Sequence, residues 1–234
     1  MTITSRQSLL IGNDILDIAS SENLTKYSNE RLVRRVLSIN EQKQLSESNC
    51  PELVFLALWT AKESAYKLLK KRDSGLLFAH AKFEVRGADN FVDKDMNPGL
   101  VTYALNPQSA AVVLDVEWER SDNWLHCVAR CPDSPAPYIQ SIESISSDLI
   151  KGEFSNEEQR SIYSDQSKAV RNLAKRLLRK HKIDNAHIIR HEEQRRYSPP
   201  WIYVNNKRIK HLDLSLSHDG KFMAAVLAGE FEGK

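Results

Sequence analysis

The chain has 234 residues, with 33 Lys or Arg against 31 Asp or Glu; a formal charge of +2 gives no whole-molecule attraction for nucleic acid. Its 41% hydrophobic content can build a core, and the length suits one large domain or two small ones. Cys50, Cys127 and Cys131 neither complete a disulfide set nor stand at zinc or redox spacing, and with no apolar run near ~18 residues and no leader-like start the expectation is a cytoplasmic protein off the membrane.

Residues 8–18 are rich in Leu and Ile and read as a buried strand. Asp14 lies among Ile11, Ile15 and Ile18, where a free carboxylate is expensive without a cation or a donor. Asp17, before Ala19-Ser20-Ser21, has the commoner use of a helix cap. Residues 28–46 are expected to form one helix with Leu32, Val33, Val36, Leu37 and Leu45 inward. Arg31, Arg34 and Arg35 gather on its other side, either as a solvated face or as a dock for an acidic partner helix.

The central helix starts near Pro51 and ends in Lys70-Lys71-Arg72, a basic end that suits the helix dipole, before Asp73-Ser74-Gly75 breaks it. Leu58, Ala61, Ala65, Leu68 and Leu69 form its apolar stripe. Trp59, Glu63 and Lys67 are four apart and share another face. Glu63 and Lys67 make either a surface ion pair worth a few tenths of a kcal/mol or a cation holder whose ammonium steadies phosphate charge.

Strands are expected at 76–85, 99–105, 111–119 and 124–130, separated by turns at 93–98, 106–107 and 121–123. The proline-rich segment 131–137 reads as a linker, and the polar stretch 140–158 as partly helical or mobile. A strong helix follows at 161–182: Val170, Leu173, Ala174, Leu177 and Leu178 make the stripe, ringed by Lys168, Arg171, Lys175, Arg176, Arg179 and Lys180. Nucleic-acid binding is the competing reading of that helix, but no aromatic residues interleave with its cations. Strands at 186–190 and 202–204 lead to a hairpin, 212–217 with 221–227, turning at His218-Asp219-Gly220.

Two patterns recur. Leu114-Asp115-Val116 with Trp124 and Val128 is matched by Leu212-Asp213-Leu214 with Phe222 and Val226. Lys67-Leu-Leu-Lys-Lys71 is matched by Arg176-Leu-Leu-Arg-Lys180. Chance accounts for such short matches as well as duplication does. Duplication would make the chain an α+β tandem: a pseudo-twofold pair of α/β halves, each a helix packed on a small antiparallel sheet, with a site in the cleft between them. The expected units are 1–131 with metal and catalytic residues, a linker at 132–160, and 161–234 with phosphate-binding residues.

Three stretches acquire a joint meaning: Gly12-Asn13-Asp14, Trp59-x-x-Lys62-Glu63-x-x-x-Lys67 and Ser215-Leu216-Ser217-His218. Together they resemble the signatures of the 4′-phosphopantetheinyl transferases, Gly-x-Asp, Trp/Phe-x-x-Lys-Glu-x-x-x-Lys and Ser-x-Ser-His. Residues 8–86 look like the small holo-acyl-carrier-protein synthases, which trimerise. The whole looks like the larger tandem-repeat enzymes with the order of the halves permuted, so a monomer is expected. The resemblance implies transfer of the 4′-phosphopantetheine group from coenzyme A to a serine of an acyl or peptidyl carrier protein, with release of 3′,5′-ADP. By the same likeness Asp14 and Glu63 would hold Mg²⁺, and Leu16 stands where many larger members have a third carboxylate. Glu63 or a metal-ordered water would take the serine proton, and Lys67 would stabilise the transferring phosphate. Lys62, Lys168, Arg171, Ser217 and His218 would contact coenzyme A, and Arg31, Arg34 and Arg35 would dock the acidic carrier. Ser198-Pro199-Pro200 replaces the usual Gly-Lys-Pro, so one lysine contact is missing, with Arg195, Arg196 or Lys207 as candidates to replace it. A non-catalytic carrier- or coenzyme A-binding module of the same fold is the alternative.

Overall fold

The computed structural model describes residues 9–88, 97–104, 110–132, 136–193 and 196–231. The expected turns at 93–98 and 106–107, apart from Asn97 and Pro98, lie outside these residues, as do Leu105, Arg195 and the middle of the 131–137 segment.

In the first half, β1 (Ile11–Asp17) leads to three short helices, α1 (Ser21–Ser28), α2 (Glu30–Val36) and α3 (Ile39–Glu47). The long helix α4 (Pro51–Arg72) follows, then β2 (Phe83–Arg86), β3 (Asn97–Tyr103), β4 (Val112–Arg120) and β5 (Trp124–Arg130). The strands form one antiparallel sheet in the order β1-β5-β4-β3-β2. The single helix expected over 28–46 is therefore broken. Ser38 takes the Glu41 amide on its hydroxyl while Glu41 takes the Ser38 amide, a capping box that starts a new helix where one was expected to continue. Leu76 to Lys82 is likewise not strand but loop and a 3-10 turn.

The segment expected to be a linker carries structure. β6 (Tyr138–Ser144), α5 (Ser147–Ile150) and α6 (Asn156–Gln159) occupy most of 132–160, and β6 is paired along its whole length. Next come α7 (Asp165–Lys180), β7 (His187–Ile189), β8 (Glu192–Glu193), β9 (Arg196–Tyr197), β10 (Trp201–Val204) and β11 (Lys207–Arg208). The closing hairpin is β12 (Leu212–Asp219) with β13 (Phe222–Gly229). Here the sheets run β12-β13-β6 and β11-β10-β7. The tight turn is Gly220-Lys221, with Gly220 at φ +52, so His218 belongs to the strand and not to the turn.

Each half has its own core. Phe55, Leu58, Ala61, Ala65 and Leu68 of α4 pack on the first sheet, and Trp118 donates its indole N–H to the Ala57 carbonyl at 3.0 Å. Leu173, Ala174, Leu177 and Leu178 of α7 pack on Leu214, Met223, Ala225 and Leu227. A seam of Ile11, Ile15, Val128, Phe222, Ala224 and Val226 joins the two.

The seam has a polar edge that explains the alternating sequence of β12. β1 and β12 each lie at an edge of their sheets. The outward amides of Ile11, Asn13, Ile15 and Asp17 donate to Asp213 Oδ2 at 2.8 Å, Ser215 Oγ at 2.9 Å, Ser217 Oγ at 3.2 Å and Asp219 Oδ2 at 2.8 Å. Alternate β12 residues point the same way, so an oxygen-bearing side chain at every second position meets every second amide of β1. Side chains thereby satisfy an edge that would otherwise be left unpaired.

Candidate active site

The site begins with Gly12. A Cβ there would run into the Ser64 carbonyl oxygen and lie 2.9 Å from the Leu68 amide nitrogen, so only glycine lets α4 lie this close to β1. Two residues on, Asp14 faces the same helix, because strand side chains repeat every second position. Lys67 Nζ then reaches Asp14 Oδ1 at 2.7 Å, the Asn13 carbonyl at 3.0 Å and Ser217 Oγ at 3.1 Å. Ser217 in turn donates to Asp14 Oδ1 at 2.7 Å. Residues far apart in sequence are thus fixed around one carboxylate.

Glu63, one turn before Lys67, is half-buried and shares the same field. Burial, then the Asp14 charge, push its pKa up to about 7, against the opposing pull of Lys67 and Lys26. Asp14 and Glu63 are two neighbouring hard-oxygen donors, with the Glu63 carboxyl raised first by burial and then by the Asp14 charge. Mg²⁺ fits such a pair, since it takes one or two carboxylates and completes its octahedron with phosphate and water. Among the described residues no group of three or more His, Cys, Asp or Glu could hold a metal.

Lys71 repeats the clamp one turn on, bonding the Ile11 carbonyl at 2.6 Å, Asp213 Oδ2 at 2.7 Å and the Leu214 carbonyl at 2.7 Å. Between α4, α7 and β12 lies a cleft of about 280 Å³ whose walls include Lys67, Lys70, Lys71, Arg171, Arg190 and His218. No carboxylate is among its lining residues. His218 is exposed at its edge; partial desolvation and the Lys67 and Arg171 charges hold its imidazole below the ordinary value. Arg171 is 2% exposed and is fixed by Ser161 and Ser167. Burial and the neighbouring Arg190 charge bring its pKa down to about 10.

The structure brings Asp14, Glu63, Lys67, Ser217, His218 and Arg171 to one region and separates two others from it. Lys62 is not a cleft residue. It is fully buried, its ammonium 2.7 Å from Glu41 Oε2 and bonded to the Val36 and His80 carbonyls. Its position next to Glu63 turns it to the helix side that packs on α3, so a phosphate contact is ruled out by burial. Lys168 is an i,i+3 partner of Asp165 at 2.8 Å and does not line the cleft. Lys207 is exposed on β11 and does not line it either. Sequence reasoning left Lys71 between a dipole-complementing helix end and a phosphate contact, and missed Arg190 and Lys26. Arg190 carried no motif; the Lys26 charge acts on Glu63 only through the folding of α1 beside Trp59, over whose ring it lies at 5.2 Å. The larger groove of about 660 Å³ between 148–155 and α7 contains none of the expected residues. Arg31, Arg34 and Arg35 stand exposed on α2.

Residues 10–104 match the family model of the 4′-phosphopantetheinyl transferase superfamily. The chain carries a domain of that superfamily over this stretch, which spans β1 through β3 and so contains Asp14, Glu63 and Lys67. The mixed helical and antiparallel fold is consistent with it. The superfamily acts on carrier proteins with coenzyme A and generally uses a divalent metal. No curated protein matches the chain.

Proposed function

We propose that the chain is a Mg²⁺-dependent transferase of the holo-acyl-carrier-protein synthase type. It moves 4′-phosphopantetheine from coenzyme A to a carrier-protein serine and releases 3′,5′-ADP. What supports this above all is the convergence of Asp14, Glu63 and Lys67 with Ser217 and His218 beside an acid-free basic cleft.

In this reading Asp14 and Glu63 hold Mg²⁺, which when bound offsets charge on the pyrophosphate. The serine oxygen forms a bond to the β-phosphorus, the bridging bond to the α-phosphate oxygen breaks, and 3′,5′-ADP carries away the electron pair. Glu63, or a water ordered beside it, accepts the serine proton. Lys67 places an ammonium beside the charge that develops. Arg171, His218 and Lys71 make the cleft attractive to the nucleotide phosphates. Arg31, Arg34 and Arg35 form the dock for an acidic carrier helix, next to a groove of about 520 Å³ lined by Tyr27, Val33, Arg34 and Leu45.

The halves are read as tandem copies. β1-α4 with β2 to β5 and β6-α7 with the strands that follow each begin with a strand and a long helix, and each first strand lies beside the last strand of its half. A tandem of this kind needs no second copy and acts as a monomer. Mass spectrometry of a panel of apo carrier proteins, each incubated with coenzyme A and Mg²⁺, tests the function. Gain of the phosphopantetheine mass by at least one carrier is expected; no gain by any would overturn the reading.

A further inference from the structure

The groove of about 660 Å³ between 148–155 and α7 shares no lining residue with the transfer cleft. Its walls are tied together by Glu158, which is fully buried beside it. The Glu158 carboxylate accepts the Ser155 amide at 3.0 Å, Lys175 Nζ of α7 at 2.9 Å and the Ile188 amide of β7 at 2.9 Å, while His187 Nδ1 lies 3.2 Å away. A buried carboxylate is costly unless donors surround it, and here the donors come from all three walls. Asn172 adds a second tie, donating to the Leu149 carbonyl at 2.8 Å and the Lys151 carbonyl at 3.4 Å. The groove is therefore preformed, with its shape fixed from within.

Lys151, Lys175, Arg176 and Arg179 line this groove against Asp148 and Glu153. Lys175 is committed to Glu158. Arg176 has Glu143 only at 3.8 Å, with both side chains open to solvent. Arg179 spends its Nε on the Lys175 carbonyl at 3.3 Å, and neither it nor Lys151 has an ion-pair partner among the described residues. Arg176 and Arg179 stand three apart and Lys175 and Arg179 four apart, so α7 carries like charges as surface neighbours, at a cost to the helix. The helix dipole favours a cation in the last turn, where Arg179 lies. It accounts for neither Arg176 nor Lys151, which faces the helix from the other wall.

We propose that this groove is a docking site for an extended acidic peptide segment of a partner protein, gripped by Arg176, Arg179 and Lys151. Guanidinium forks match carboxylates bidentately. Spacing along α7 fits an extended chain: Lys175 and Arg179 are about 6 Å apart along the helix axis, and alternate side chains of an extended peptide repeat every ~6.7 Å. Acidic residues at every second position therefore meet successive cations. A single-stranded nucleic acid fits less well, because it binds through stacked bases. The one ring lining the groove, Phe154, lies under the Lys175 ammonium at 4.8 Å. The groove stands outside the transfer chemistry, so this docking does not rest on the transferase reading.

The test is fluorescence anisotropy of a labelled Ser-Glu repeat peptide against the full chain, without coenzyme A. It is run at about 0.1 M salt, where charges further apart than about 10 Å are screened. Wild type is expected to bind this peptide and not its Ser-Gln counterpart. The double variant Arg176→Gln with Arg179→Gln should weaken binding by about tenfold or more, the scale of one charge-assisted contact. Replacing Arg31, Arg34 and Arg35 by Gln should leave it within a few-fold. No binding by wild type, unchanged binding in the double variant, or loss in the α2 variant instead overturns the proposal. Tighter binding of oligothymidylate through the same two arginines overturns the acidic-peptide occupant, as does a wild-type dimer that the double variant abolishes. Photo-crosslinking of a benzophenone-bearing Ser-Glu peptide to wild type needs no variant. Crosslinks within 148–155 or α7 support the groove, and crosslinks only elsewhere overturn it.

Discussion

Gly12 and Ser64 touch backbone to backbone, with no room for a Cβ between them. That contact sets the distance at which α4 crosses β1, and so the distance from Asp14 to Lys67 and Glu63. Gly12→Ala forces the helix away. The expected cost is about 1–3 kcal/mol of stability, as for other overpacked cores, and a loss of carrier loading larger than the fraction unfolded explains. A urea titration beside the loading assay separates the two; unchanged loading would mean that this contact does not set the site.

Lys67 is the ion-pair partner of Asp14, at 2.7 Å. Lys67→Ala is expected to reduce carrier loading by about 100-fold or more, the scale of removing one preorganised charge-stabilising donor. The same variant should strengthen Mg²⁺ binding measured alone, because the carboxylate pair then has only the metal as partner. Weaker Mg²⁺ binding with loading intact would contradict both roles.

Lys62 and Glu41 form the reverse case, a buried ion pair with no access to the cleft. Burial pulls the lysine pKa down while Glu41 holds it up. Lys62→Ala leaves Glu41 charged and only partly satisfied by the Ser38 and Val85 amides. Loss of about 3–5 kcal/mol is expected, as for other broken buried pairs. Coenzyme A affinity in the surviving folded fraction should not change. A large affinity loss with stability intact would return Lys62 to the binding site.

His126 is fully buried at the seam, its Nε2 3.1 Å from Asn13 Nδ2, and burial followed by the Lys67 charge brings its pKa down to about 3 from an ordinary 6.5. The folded protein therefore keeps it neutral where the unfolded chain protonates it. Stability from this group is intact above pH 6.5 and declines as pH falls towards 3, by about 1.4 kcal/mol per pH unit. Urea midpoints at pH 7 and pH 4.5 should differ more in wild type than in His126→Leu. An equal difference in both proteins would place the acid sensitivity elsewhere.

Much of this was readable before folding was considered. The apolar spacing of Leu58 through Leu69 and the Pro51 and Lys70-Lys71-Arg72 ends gave α4 its limits, and the stripe from Val170 to Leu178 gave α7. Glycine in Gly-x-Asp is legible as a close approach only once the helix that approaches is known. Ser38 was hidden inside an apolar periodicity that continues past it, and its capping role depends on Glu41, which is itself held by Lys62. β6 was hidden because its half-buried strand gains its order from β13, nearly ninety residues later. Lys62 was misplaced because sequence adjacency to Glu63 says nothing about which way a helical neighbour turns. Arg190 could not be placed in the cleft at all: its position depends on a carbonyl and a ring that only the chain's return at Tyr197 and Ser198 supplies.

The account depends most on Asp14 and Glu63 acting together. The direct measurement is mass-spectrometric loading of a responsive apo carrier by wild type, Asp14→Asn and Glu63→Gln, with circular dichroism and melting temperature recorded for each. Both variants are expected to remain folded, to lose Mg²⁺-dependent loading, and to keep their affinity for coenzyme A measured without Mg²⁺ within a few-fold of wild type. Wild-type loading by either folded variant would contradict the account.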